Sequence, residues 1–455
     1  MTSAYSDKKS SGVDWLGEIP SHWNVSSLKR VLSEPLKYGA TEAGDCDDRS
    51  LPRYLRITDF DNDGSLRTDT FASLPEEIAC GYYVNEGDVL FARSGATVGK
   101  TFLFRNYQGR ACFAGYLIKA SPARRKLTPE FLYYFTKSPA YEAWKDFIFT
   151  QATIQNIGAD KYAYLPICLP PLREQQRIAA YLDASCAAID AAVAAKRRQL
   201  ETLDALRKSL VQQTITNGLG SAVPRKPTDS LYLPAVPTHW AVRSLKHCAN
   251  ILNGYAFDST TYVEDGVPII RIGDVAATID WTKVKRVPSE LLSALSRFII
   301  QRDDILVALT GATIGKSTLY RDDTDALLNQ RVAVLRASRI NAEFLNYIIQ
   351  THVFTEPIDL LCSGGAQDNI GKGEVGGIKI PVPPLDEQER IVGFLNEKTE
   401  RLLTLSGVLE TQIATLTAYR KSLIHECVTG QRRVTEVDVQ RAAAHGRFDN
   451  PCAKG

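Results

Sequence analysis

Neither sign of charge is in excess in this sequence. Its 455 residues carry 54 Lys and Arg against 52 Asp and Glu, a formal net charge of only +2. That excludes a simple, uniformly basic DNA-binding domain, so any contact with nucleic acid has to be local. Long apolar runs are also lacking. No stretch reads as approaching the roughly 18–20 residues of a membrane span, and the opening MTSAYSDKKSSGVDW has no apolar signal-peptide core. The expectation is a cytoplasmic protein with no membrane partner. The nine cysteines stand singly without a Cys-x-x-Cys pair, and the six histidines do not cluster with carboxylates or cysteines. This argues against a disulfide framework and against a metal site. The cysteines read as buried thiols in a reducing compartment. With 44% hydrophobic and 23% charged residues, the chain is otherwise ordinary globular material, enough for two to four domains.

A complete active site is missing as well. Ser94-Gly95-Ala-Thr-Val-Gly99-Lys100-Thr101 and its echo Thr310-Gly311-Ala-Thr-Ile-Gly315-Lys316-Ser317 resemble a phosphate-binding P-loop, but both lack its first glycine. The next residues in each copy, TFLF and STLY, are β-branched and aromatic, which suits a strand better than the helix a P-loop needs. A glycine turn between strands fits, and the same turn can bring Lys100 or Lys316 to a phosphate. The methyltransferase tetrapeptide of the Asn/Asp-Pro-Pro-aromatic kind is absent. His22 and His239 belong to a repeated Pro-Ser/Thr-His-Trp opening and read as structural, and acid pairs such as Asp303-Asp304 read as solvated turns. Basic clusters such as Arg124-Arg125-Lys126, Lys196-Arg197-Arg198 and Arg207-Lys208 read mostly as solvated surface.

What the chain does have is a repeat. Ile19-Pro-Ser-His-Trp23 returns 217 residues later as Val236-Pro-Thr-His-Trp240, the Gly-Ala-Thr-x-Gly-Lys turn after 216, and Pro170-Pro-Leu172 after 213 as Pro383-Pro-Leu385. The shrinking offset marks small deletions in the second copy. Residues 31–86 and 247–302 share little beyond Arg56-Ile-Thr-Asp59 against Arg271-Ile-Gly-Asp274. The frame is duplicated and its contents are not.

Short apolar runs such as Val89–Ala92 and Thr101–Phe104, with a helix predicted near Pro129–Lys145, give an α+β domain. Ile305–Ala308, Ser317–Tyr320 and a helix near Ala342–Val353 give a second of the same fold. Each is followed by a long helix. Alternating steps of four and three from Ile391 mark an apolar seam through Leu395, Lys398, Leu402, Leu405, Leu409, Gln412, Leu416 and Tyr419 to Leu423. The equivalent seam runs from Ile178 through Ser185, Ala192, Lys196, Gln199 and Leu206 to Leu210, with Lys196 as an irregularity. Asn217-Gly218 and Gly430 suit helix ends. Residues 172–218 hold seven Lys or Arg and five Asp or Glu, and residues 385–430 hold five and seven, which favours pairing of the helices with each other. The predicted fold is two tandem α+β domains whose helices form an antiparallel coiled coil with internal two-fold symmetry. Expected boundaries are 1–165, helix 166–218, linker 219–235, 236–378, helix 379–430 and tail 431–455.

The helix openings Pro170-Pro-Leu-Arg-Glu-Gln-Gln-Arg-Ile178 and Pro383-Pro-Leu-Asp-Glu-Gln-Glu-Arg-Ile391, with the His-Trp openings, the glycine–lysine turns and the Arg-Lys-Ser-Leu helix ends, resemble specificity subunits of type I restriction-modification systems. The resemblance covers about residues 15–435. It implies a non-catalytic reader of double-stranded DNA with two target-recognition domains, each taking one half of a split sequence. It also implies docking of two adenine methyltransferase subunits, and of restriction subunits in the full complex. S-adenosylmethionine, ATP and magnesium would sit on those partners and none on this chain. The alternatives are a system that only methylates, a fused nuclease–methylase, or a coiled-coil scaffold that reads no DNA. Candidate DNA-contacting residues are Lys100, Lys316 and Arg93, and the amides Gln151, Gln155, Asn156, Gln367 and Asn369, where turn-capping is an equal reading. The unmatched loops Lys37–Asp48 and Asn253–Ser259 are further candidates. Glu174, Gln175, Glu387 and Gln388 are expected on the partner-docking helices.

Overall fold

The structure, a computed structural model, describes residues 4–44, 46–61, 64, 66–150, 156–220, 223–276, 278–308, 316–363 and 371–448. It divides into two compact units, residues 1–197 with 410–455, and residues 198–409. Each long helix is continuous in sequence across that division, so each unit holds half of both.

The first unit is built on an antiparallel four-stranded sheet in the order Lys37–Tyr38, Leu117–Ala120, Val89–Ala92, Thr101–Leu103. Val89–Ala92 is buried throughout because it packs on both faces, and its alternating side chains divide between two cores. Val89 and Phe91 join the core that includes the long helices, while Leu90 and Ala92 join a smaller one beneath the parallel pair Arg53–Leu55 and Ala111–Phe113. The second unit repeats this with Ala249–Asn253, Val332–Ala337, Ile305–Ala308 and Ser317–Leu319, and with the parallel pair Val267–Ile270 and Leu327–Leu328. In each unit the strand before the long helix pairs with the strand after the His-Trp opening: Pro166–Leu169 with Asn24–Ser27, and Lys379–Val382 with Ala241–Ser244.

Three expectations need correction. Each helix predicted inside a domain is two, Pro129–Phe135 with Pro139–Thr150 and Ala342–Ile349 with His352–Ser363. Pro139, which cannot donate to the preceding turn, restarts the first of these. The expected linker instead forms a hairpin, Arg225–Ser230 with Leu233–Pro237, and seats Leu233 and Val236 in the second unit's core. The cysteines are not uniformly buried: Cys112, Cys168, Cys186, Cys248 and Cys427 are, Cys46 is half-buried and Cys80 is exposed.

The long helices span Leu172–Asn217 and Leu385–Val428. In the first unit Asp190 pairs with Arg420 at 2.9 Å and Lys196 donates to Gln412 at 2.6 Å, so one numbering rises as the other falls and the helices are antiparallel. In the second unit Val211 and Ile215 share a core with Ile391 and Leu395. Half of the predicted seam falls one residue too early. Leu405, Tyr419 and Leu206 are about half exposed, and the seam turns in Cys186, Val193, Leu200 and Arg207 on one helix and Thr399, Ser406, Ile413 and Arg420 on the other. A period of 3.5 drifts against 3.6 residues per turn, and packing onto the domain core keeps the later residue of each turn inward. The first helix also overturns the reading that no apolar run is long enough for a membrane. An 18-residue window in it reaches a mean hydropathy of 1.5. The helix nevertheless carries Asp183 and Asp190, paired with Arg105 and Arg420, and buries Ile178, Leu182, Cys186 and Ile189 in the first unit's core.

Gly218 and Gly430, with φ of 77° and 75°, end these helices in the left-handed conformation, each against a His-Trp opening. A Cβ on Gly430 would lie 2.2 Å from Pro20 Cδ, and one on Gly218 3.1 Å from Trp240. Gly393, inside the second helix, has open space there. Gly430→Ala is expected to destabilise the chain by ~2 kcal/mol and Gly393→Ala to stabilise it by up to ~1 kcal/mol. Opposite shifts in Tm on thermal denaturation check the pair.

Candidate nucleic-acid interface

The start of each long helix is locked into its own unit. Gln175 is fully buried. Its Oε1 accepts from Thr128 N at 2.9 Å, and its Nε2 donates to the carbonyls of Lys126 and Pro170, each at 2.9 Å. Thr128 is the N-cap of the helix Pro129–Phe135. Gln388 repeats this, accepting from Asn341 N and donating to Pro383 O, both at 2.8 Å, and Asn341 caps Ala342–Ile349. The neighbouring glutamates tie in the His-Trp openings. Glu174 bonds His22 at 3.0 Å and the hydroxyl of Tyr5, while Glu387 bonds His239 at 2.8 Å and Trp240 Nε1 at 3.1 Å. Burial, then the bond to Glu174, raises the Tyr5 phenol pKa above its ordinary value. Glu174, Gln175, Glu387 and Gln388 therefore do not form an outward docking surface. A buried amide must satisfy its own donors and acceptor, and these are satisfied within the unit.

The lock continues to the glycine–lysine turn. Helix Pro129–Phe135 is followed by Thr136, which bonds Thr101 at 2.7 Å, and by Lys137, whose Nζ donates to Thr101 O at 2.7 Å. Strand Val89–Ala92 runs through the 3-10 turn Gly95–Thr97 into strand Thr101–Leu103. Gly95 and Gly99 take φ of 76° and 81°, and a Cβ on Gly99 would strike the Lys145 side chain. A strand, not a helix, follows Lys100, which excludes a P-loop in the first unit.

Arg93 and Asn156 converge beside this turn. Ser94 bridges Asn156, and Ile157 N donates to Arg93 O at 2.9 Å. The Arg93 guanidinium lies 4.9 Å from the centre of the Tyr38 ring, whose hydroxyl accepts from Ala159 N at 2.9 Å. Arg93 Nε and Asn156 Oδ1 are buried without a hydrogen-bond partner among the described residues. A buried donor or acceptor left unsatisfied costs ~1–3 kcal/mol, unless an outside group completes it. Lys100 is exposed at the end of the same turn.

In the second unit Lys316 is exposed and holds the equivalent place, its carbonyl accepting from Ala308 N at 2.9 Å as Lys100 O accepts from Ala92 N at 2.8 Å. It lines a polar cleft of about 1130 Å³ with Arg207, Lys208, Gln212, Gln350 and His352. Gln151, Gln155, Gln367 and Asn369 lie outside the described residues, as does the turn before Lys316.

Tyr38 and Gly39 lie in the candidate loop Lys37–Asp48, but the sequence singled out neither. Gly39 and Gly254 sit in loops taken as unmatched, yet a Cβ on either would fall 2.2 Å from a backbone carbonyl, of Phe113 and of Asn329. The shared glycine was the available signal. Gln175→Leu strands three backbone groups and is expected to cost about 3 kcal/mol, against under ~0.5 kcal/mol for Arg173→Ala on the exposed face. Chemical denaturation of the two variants measures both.

Comparison with known proteins bears on these two units together. A family model described as the type I restriction modification DNA specificity domain matches residues 53–202 and 237–413. The MjaVIII type I restriction enzyme specificity subunit of Methanocaldococcus jannaschii is 25% identical over 368 residues, 78% of this chain and 81% of that one. The putative MjaX specificity subunit of the same organism is 24% identical over 431 residues, covering 92% and 96%. A solved structure from work on complex assembly and conformational transition of the type I R-M system aligns with a TM-score of 0.67 at 18% identity, over 90% of this chain and 98% of that chain.

Proposed function

The chain belongs to the family of type I restriction-modification specificity subunits and carries two target-recognition domains, and from that premise we propose that each domain reads one half of a divided double-stranded DNA sequence. The observation that carries this is the pairing of a duplicated frame with unlike contents. Two different half-sites need different side chains at the base edges, while the phosphates of both halves are alike. Repeated groups, Lys100 with Lys316, therefore belong to the backbone. Unrepeated ones belong to sequence: Arg93, whose counterpart is Leu309, stands beside Tyr38, whose counterpart is Asn253. Asn156 is repeated as Asn369 and its unpartnered Oδ1 accepts from whatever the two half-sites share. Gln151, Gln155 and Gln367 are kept as candidate amide contacts on the same footing.

The family is one of non-catalytic subunits. In this reading the chain docks two adenine methyltransferase subunits that bind S-adenosylmethionine, and restriction subunits that use ATP and magnesium complete the assembly in the cytoplasm. The exposed outer faces of the long helices are the docking surface, since the Glu-Gln pairs at their openings are already occupied.

Expressing the chain with its methyltransferase in a methylation-free host and mapping modified adenines tests the whole reading. A bipartite motif is expected, and modification without a motif defeats it. For the phosphate assignment, Lys100→Ala and Lys316→Ala should each weaken binding to all duplexes alike and reduce the salt slope by about one counterion. Altered motif preference at an unchanged slope would show that these lysines read bases instead.

A further inference from the structure

The strand Arg53–Leu55 of the first unit begins with a charge that its own surroundings leave incomplete. Arg53 is 6% exposed. Its Nη2 donates to the carbonyls of Arg67 at 2.7 Å and Thr70 at 2.9 Å, and its guanidinium carbon lies 5.7 and 5.6 Å from the ring centres of Phe71 and Tyr107. Among the described residues no carboxylate pairs with it, and its Nε is buried without a hydrogen-bond partner. A buried cation held only by carbonyls and rings lacks the anion that would offset its desolvation.

Beside it lies a cavity of about 470 Å³, lined by Arg53, Phe60, Thr68, Arg105, Tyr107 and Tyr133 among others, with no acidic side chain among the described residues of its wall. Arg105 is partly exposed and also pairs with Asp183 at 3.3 Å. The volume is in the range of small-ligand sites. Aromatic walls present π-faces on which any nucleobase stacks, and two guanidinium groups favour phosphate over a neutral ligand. The second unit has Pro268 where the first has Arg53, so this chemistry occurs in one unit only.

We propose that this cavity binds one nucleotide, its base against the aromatic rings and its phosphate on Arg53 and Arg105. The source is either a nucleotide unit of the DNA half-site or a free nucleotide. The first of these rests on the reading of the first domain as a DNA reader, and the second does not.

The test titrates the full chain with AMP, with adenosine and inorganic phosphate as partial ligands, and separately with a duplex carrying the mapped target. Thr68→Trp fills the cavity from an exposed position on its rim, and Tyr107→Ala removes a stacking face. Both leave the buried Arg53 in place, so folding is retained and is verified by the thermal transition. One AMP per chain is expected, bound about tenfold more weakly by either variant, and more tightly by the wild type than adenosine or phosphate. A tenfold loss of target-duplex affinity in the same variants identifies DNA as the source, and an unchanged duplex affinity identifies the free nucleotide. Undetectable AMP binding at ~10 mM, with duplex affinity unchanged within about twofold in both variants, overturns the proposal. A wild-type chain with its methyltransferase that binds no duplex defeats the DNA reading, and the AMP arm alone then decides the cavity.

Discussion

A buried glutamine amide at the start of each long helix is the constraint on which each unit's geometry depends. Gln175 joins two pieces of chain through three bonds of one side chain: the segment Lys126–Thr128, which ends in the N-cap of a domain helix, and the Pro-Pro entry to the long helix. An amide taken out of water has to keep all its bonds, so these pieces are held as a set. Glu174 extends the set to the His-Trp opening, and Pro20 and Trp23 of that opening press against Gly430 at the end of the other long helix. Through Thr136 and Lys137 the same helix fixes Thr101, one residue from Lys100. The position of a surface lysine is thus set by a buried amide two elements away.

The charge balance of the whole chain conceals how the charges are used. Within a net charge of +2, several cations are matched locally, as Arg56 with Asp59, Arg271 with Asp274 and Arg336 with Asp304. Burial of Asp59 opposes its ionisation, but the Arg56 guanidinium wins and holds its pKa below the ordinary carboxylate value. Two other arginines are buried at Nε without a hydrogen-bond partner among the described residues: Arg93, over Tyr38, and Arg53, near the rings of Phe71 and Tyr107. A molecule whose total charge is near zero can still bind a polyanion if its uncompensated cations are placed together, because exposed charges are screened beyond ~8 Å at physiological salt.

Much of the architecture was legible as repetition. The two His-Trp openings, the two glycine–lysine turns and the two helix openings announced two copies of one α+β fold, and the strand pairings repeat accordingly. Other features were out of reach for identifiable reasons. A period of 3.5 and one of 3.6 give nearly the same stripe over two turns, so Leu405 and Tyr419 were placed inward when Ser406 and Arg420 occupy the seam. The segment before the second copy reads as a linker because proline and polar residues dominate it, yet its Leu233 is buried beside Val236 of the second copy. The glutamate–glutamine pairs looked like a docking motif because recurrence does not say whether a side chain faces inward or outward.

By itself the sequence determined that there are two copies, that each pairs an α+β domain with a helix of more than 40 residues, and that the copies differ where a ligand would be distinguished. These follow from periodicity and recurrence, which are properties of order along the chain. Only the tertiary structure decided that Gln175 and Gln388 are buried clasps, that the backbones at Arg93 and Asn156 become neighbours, and that Arg53 lies beside an aromatic cavity with no acid pairing it among the described residues. Those are statements about which groups share a space after long loops have closed. Neighbours more than 60 residues apart in the chain, such as Arg93 and Asn156, leave no local pattern to read.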